Sequence, residues 1–188
     1  MRTIIILMIA GLGAPTAFAG EAQHKRFGVS AEAGLNGGYG LLGIEASVHP
    51  SERYDIHAGA GIGGSVMLGV GARLFSDRED CFLFKNCDER YFLSTTLSRS
   101  AGGEIVEKRD GVDREFDLKP VNFLSIAAGN REVFFQRLAL DLTLGYRLAL
   151  NKAEAEQTNG PVSEDAKKDI EEPLKSGPQV TVALGFLF

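Results

Sequence analysis

From Phe27 to Phe188 the chain alternates apolar residues with polar or small ones in eight runs. That is the period of strands whose two faces meet different surroundings. The first run is Phe27–Leu35, with Phe27, Val29, Ala31, Ala33 and Leu35 on one face and Ser30, Glu32 and Gly34 on the other. The second is Tyr39–His49, where Leu42, Ile44, Ala46 and Val48 oppose Gly43, Glu45, Ser47 and His49. Asn36-Gly37-Gly38 between them reads as a hairpin, because Asn and Gly tolerate the positive φ of tight turns.

Alternation then continues from Tyr54 to Phe75, too long for one strand, and Gly61–Ser65 is where it folds back. Ile56, Ala58, Val66, Leu68, Val70 and Leu74 lie on one face, and Asp55, His57, Gly59, Met67 and Arg73 on the other. A polar Ser76–Arg90 connection follows, then a fifth strand about Tyr91–Ser98 and a charged loop from Arg99 to Lys119. The sixth strand is placed about Val121–Gly129, with a turn at Asn130-Arg131-Glu132. The seventh sets Leu138, Leu140, Leu142, Leu144, Tyr146 and Leu148 against Arg137, Asp141, Thr143 and Arg147. A helix there would bury those charges among leucines, so strand wins. Asn151–Pro178 is a second long polar loop, and Lys152–Lys175 within it has the composition of a short helix.

The eighth run, Gln179–Phe188, places Val180, Val182, Leu184, Phe186 and Phe188 on one face. An apolar-faced final strand ending on Phe resembles the closing strand of an outer-membrane β-barrel. In that family it carries the signal read by the assembly machinery, which Phe186-x-Phe188 matches. Thr181 stands as the family has it, while Ala183 replaces the usual Gly. The resemblance implies an all-β fold, an eight-stranded antiparallel up-and-down transmembrane β-barrel similar to the OmpA transmembrane domain and OmpX-type barrels. Eight is even, as in bacterial single-chain barrels. Long loops after strands five and seven would then face outside the cell, and Ser76–Arg90 the periplasm.

The other end agrees. Arg2, the apolar Ile4–Leu12 and the small pair Ala17/Ala19 read as a signal peptide over residues 1–19, leaving 169 residues, 20–188, as one barrel domain. The chain carries −5 at pH 7 and Arg2 is the leader's sole charge, so the mature part carries −6. An acidic chain without a Lys/Arg cluster argues against nucleic acid. In an oxidising compartment the two cysteines, Cys81 and Cys87, read as a disulfide closing a short loop. Their spacing has no second pair or nearby His for a metal site.

The face opposite the apolar one collects Glu32, Glu45, Asp55, Arg73, Arg137, Asp141 and Arg147, with His49 and His57. A small barrel is filled by its own side chains, so these charges are expected to pair as an interior network. Ser47/His49 and Asp55/His57 could suggest a nucleophile, as in lipid A hydrolases and acyltransferases of the outer membrane. The active residues of those enzymes face lipid or the rim, whereas these point inward, and no G-x-S-x-G is present. Gly59–Gly64 matches G-x-G-x-x-G but precedes a strand, not a helix, so it reads as a turn and as relief of crowding. Tyr39, Tyr54, Tyr91, Tyr146, Phe27, Phe186 and Phe188 near strand ends suggest an aromatic girdle.

The expected protein is a monomeric, non-enzymatic barrel without cofactor in the Gram-negative outer membrane, with a structural or surface-interaction role. Its partners are membrane lipid, lipopolysaccharide and, during insertion, the assembly machinery. The competing readings are the lipid-modifying enzyme and a soluble periplasmic lipocalin-like carrier.

Overall fold

The computed structural model describes residues 26–77, 79–80, 87–109, 112–160 and 164–188. The leader expected over 1–19 and Cys81, half of the expected disulfide, lie outside these residues.

Among the described residues, alternation becomes twelve strands, with one short α-helix and a 3-10 turn at Glu172–Leu174 before the last of them. In order they are β1 (Phe27–Gly37), β2 (Gly40–Ser51), β3 (Tyr54–Ile62), β4 (Val66–Phe75), β5 (Glu79–Asp80) and β6 (Cys87–Ser100). Then come β7 (Gly103–Arg109), β8 (Val112–Leu118), β9 (Asn122–Phe134), β10 (Leu138–Ala149), β11 (Ala155–Asn159), α1 (Glu164–Glu171) and β12 (Gly177–Leu187). Eight of them, β1 to β4, β6, β9, β10 and β12, form a closed antiparallel barrel, so the fold is all-β. The β1–β12 and β4–β6 pairings close it: Gly28 faces Leu187 and Leu74 faces Leu93. Closure satisfies every strand edge, which an open sheet cannot do.

The pattern places most side chains correctly because a register slip of one would exchange both faces at once. Val29, Ile44, Ile56, Val70, Leu97, Ile126, Leu142 and Val182, one from each barrel strand, are all exposed outward. Inside stand Glu45, Asp55, Arg73, Arg131 and Asp141, all buried.

Three boundaries differ from the sequence reading. The turn expected at Asn130-Arg131-Glu132 is strand: β9 runs on to Phe134, and the chain reverses at Phe135 and Gln136, both at positive φ (50° and 60°). Arg137 N–H donates to Phe134 O at 3.0 Å, the pattern of a two-residue hairpin turn matched to strand twist. Extending β9 preserves five more cross-strand pairs, from Asn130↔Leu142 to Phe134↔Leu138. β6 begins at Cys87 rather than Tyr91. Tyr39 belongs to the β1–β2 turn and not to a strand.

The two long loops at the far end from the termini are not featureless. β7, β8 and β11 pair into a second sheet, and α1 forms within the stretch whose composition suggested a helix. Phe116, Leu118, Ala155, Ala166 and Leu174 of this cap pack with Met67, Val121 and Phe123 at the barrel mouth as one buried cluster. The cap therefore has its own apolar core, seated on the barrel. Lys119 Nζ donates to Glu154 Oε2 at 2.7 Å beside it. That hydrogen bond holds the exposed Glu154 carboxyl below its usual range and raises the Lys119 ammonium.

The glycines of β2, β3 and β4 make room for one ring. Tyr39, 1% exposed, folds into the barrel against Gly43, Gly59 and Gly69. A Cβ on Gly59 would lie 2.4 Å from Ile44 O and 2.7 Å from Tyr39 Cζ. Because the first obstacle is backbone, Gly59→Val should cost about 1–3 kcal/mol, the usual range for overpacking. Urea unfolding measures it, and an unchanged midpoint would refute the packing.

Candidate functional site

The barrel interior towards the termini holds a cluster centred on Asp55, which is 0% exposed. β3 presents Asp55 and His57 inward by parity, β2 presents Glu45, Ser47 and His49, and β4 presents Arg73. Arg73 grips Glu45 with both terminal nitrogens, Nη1 to Oε1 at 2.8 Å and Nη2 to Oε2, and also donates to Asp55 Oδ2 at 3.2 Å. From the opposite wall Arg131 grips Asp141, Nε to Oδ1 at 2.7 Å and Nη2 to Oδ2 at 2.6 Å. Its Nη1 reaches across the lumen to the same Asp55 Oδ2 at 3.5 Å. Bidentate guanidinium–carboxylate pairs combine charge with fixed geometry, which a desolvated site needs. The guanidiniums also lie over Phe92 (Arg73, 5.7 Å) and Phe75 (Arg131, 4.8 Å).

Two histidines complete the cluster. His57 Nδ1 lies 3.3 Å from Asp55 Oδ1, and its Nε2 lies 3.2 Å from Thr96 Oγ1. With Nδ1–H donating to the carboxylate, the Thr96 hydroxyl donates to Nε2. His49 Nε2 meets Ser47 Oγ at 3.1 Å, while its Nδ1 stands 3.8 Å from Asp55 Oδ2. One hydroxyl–imidazole–carboxylate chain thus runs through His57, while His49 stands beside the same aspartate beyond hydrogen-bond distance. The cavity beside them, lined by Gly28, Ser47, Arg131 and Asp141 among others, is about 10 Å³. That is room for about one water and for no substrate. What the arrangement can do is clamp: one connected set of charges ties β2, β3, β4, β9 and β10 together across the lumen.

Of the interior residues read from sequence, Glu45, Asp55, His57, Arg73 and Asp141 meet here. Arg137 does not. It lies exposed in the β9–β10 turn, and Arg131, taken in the sequence for part of a turn, has its place. The parity Phe123, Ser125, Ala127, Gly129 points straight at Arg131, but the polar flanks Asn130 and Glu132 hid it. Those flanks face outward, where Asn130 Nδ2 donates to Glu89 Oε1 at 2.7 Å. Glu32 is half-buried on the same interior wall without an ion-pair partner among the described residues. Arg147 is buried elsewhere, at the cap end. Cys87 opens β6, and its pairing with Cys81 falls outside the described residues.

Phe186 and Phe188 point outward with ring centroids 5.0 Å apart. Phe27, Tyr54, Tyr91 and Phe135 are exposed at the same end of the barrel, whereas Tyr146 stands towards the cap. The aromatic ring is thus concentrated at the terminal end. Tyr39 is no part of it, being inside the barrel.

No family model matches the chain, and comparison with curated proteins finds no match. Among solved structures it is similar to the N-terminal β-barrel domain of OprF from Pseudomonas aeruginosa. The TM-score is 0.53 at 12% identity, covering 87% of this chain and 98% of that one. At that identity the likeness concerns the fold, an eight-stranded barrel.

Proposed function

We propose that this chain is a small integral barrel of the Gram-negative outer membrane, with a structural or surface-interaction role and no chemistry of its own. The observation that carries the proposal is the inversion of the barrel. All eight strands turn aliphatic side chains outward, and the interior is charged. A water-soluble monomer exposes apolar patches of only about 300–600 Å². A continuous apolar ring around eight strands suits hydrocarbon, and the exposed aromatics at its edge suit the interface. A lipocalin-like carrier requires the opposite arrangement, apolar inside.

The Asp55-centred cluster is read as structural, filling the lumen and tying opposite walls. The lipid-modifying alternative needs its histidines at the lipid face or rim, and here His49 and His57 are both buried inside the barrel. The cap, with its exposed charges, is the surface offered to other molecules. The likeness of fold to the OprF barrel domain fits this reading.

The test is fractionation of cells producing the full chain, followed by gel mobility with and without heating. The expected result is recovery with the outer membrane and a heat-dependent mobility shift, as folded barrels resist unfolding by detergent. Recovery as a soluble periplasmic protein would overturn the reading. Lipid A from the same cells should be unchanged in mass.

A further inference from the structure

The second sheet, seated on the barrel mouth, runs β11-β8-β7 and therefore has two edges. The β11 edge is guarded. Its register with β8 shifts between Gln157 and Asn159, and α1 packs against it, with Glu171 Oε1 accepting the Ala155 N–H at 3.1 Å. The β7 edge has neither device. Its seven residues pair with β8 in unbroken register from Gly103↔Leu118 to Arg109↔Val112, without a proline. Among the described residues no strand lies along its far side. Bulges and covering elements are how proteins keep an edge from pairing with another chain. An edge left regular, opposite one that is guarded, is open to strand addition.

The side chains of β7 fit one partner in particular. Its solvent face carries Glu104, Val106 and Lys108, all exposed, Val106 at 62%. Ile105 and Glu107 alternate on the other face, where Ile105 packs against the buried cluster. Two copies of this strand, antiparallel about a two-fold axis at Val106, set Val106 against the partner's Val106. Glu104 then faces the partner's Lys108, and Lys108 the partner's Glu104. One apolar pair flanked by two opposite-charge pairs is a favourable cross-strand row. Within a single copy Glu104 is badly placed. It faces Asp117 on β8, which faces Glu156 on β11, so three carboxylates stand in a row across the sheet. Lys119, near Asp117 and Glu156, is bound to Glu154, and Glu104 has no ion pair among the described residues. Like charges directly opposite destabilise a sheet, and the partner's Lys108 would end the row with a cation. Lys108 itself holds only an exposed contact with Asp113 at 3.7 Å.

We propose that two copies of this chain join through antiparallel β7–β7 pairing centred on Val106, fusing their cap sheets into one. Such a contact is isologous, the same patch on both subunits, and it closes at a pair because only the guarded β11 edges are left outside. The charges that would repel an unmatched strand select this one. Seven residues a side make a small contact, so association belongs to crowded chains and not to dilute ones. The inference builds on the reading of the cap as the surface offered to other molecules, and it replaces the monomer expected from sequence. Its failure would leave the outer-membrane placement of the barrel, read by fractionation, untouched.

The test is sedimentation of the full chain, folded in density-matched detergent, across rising ratios of protein to detergent. The expected result is a monomer–dimer equilibrium. Glu104→Lys and Lys108→Glu, each alone, put like charges at both ends of the contact and should weaken association about tenfold. Mixed one to one, the two variants complement each other and should regain dimers, as should the chain carrying both substitutions. Mixing would not rescue a variant that had merely misfolded. Glu104→Lys should also leave the cap no less stable, since it breaks the row of carboxylates. A monomer at every ratio, leaving the edge to another partner or to none, would overturn the proposal. So would single variants that dimerise as strongly as the wild type, which join elsewhere, or single variants that stay apart on mixing.

Discussion

Arg131→Met should lose about 3–5 kcal/mol of stability, the cost of stripping one partner from a buried ion pair, while Arg137→Met six residues on should change it by less than about 0.5 kcal/mol. Arg131 holds Asp141 with two hydrogen bonds and reaches Asp55 across the lumen. Its removal leaves a carboxylate that is 5% exposed without its cation. Arg137 is exposed in a turn and leaves nothing behind. Replacing both partners, Arg131→Met with Asp141→Leu, should recover much of the loss, since an apolar pair has no unmet charge. Urea unfolding of protein refolded into lipid vesicles, followed by circular dichroism, measures all three. A costly Arg137→Met beside a harmless Arg131→Met would refute the extended β9 and the cluster built on it.

The second large effect concerns the outer face. Leu142→Arg should cost about 2–4 kcal/mol in a bilayer, and Leu148→Arg, near the cap end of the same strand, only about 0–1 kcal/mol. Both leucines point outward and are already exposed, Leu142 at 53% and Leu148 at 41%. In water an arginine at either position would be nearly neutral. The depth dependence is therefore the signature of hydrocarbon around the barrel. Equal, small effects at both positions would favour a soluble barrel over the membrane reading.

Strand number and parity were legible because they are local properties. Leu138 to Leu148 alternate without interruption, and one polar face against one apolar face leaves a single register. The misreading at Asn130-Arg131-Glu132 shows where local reasoning fails. Three polar residues in a row look like a turn unless it is known that two face outward, Asn130 meeting Glu89 on the next strand, and one inward to Asp141. The cap was missed for a related reason. Phe116 and Leu118 are isolated apolar positions in a charged run, and their partners Met67 and Leu174 lie far away in sequence.

The sequence by itself determined the all-β class, the eight barrel strands and the facing of most of their side chains, since period-two alternation is written residue by residue. Tertiary structure alone decided who meets whom inside. Asp55 and Arg131 are 76 positions apart, and only the closure and stagger of the barrel bring them to 3.5 Å. It likewise turned Tyr39 into the lumen, where Gly59 and Gly69 on other strands leave the space for its ring, and left Arg147 without a carboxylate. Contacts across a closed barrel depend on shear between distant strands, and no window along one strand contains that quantity.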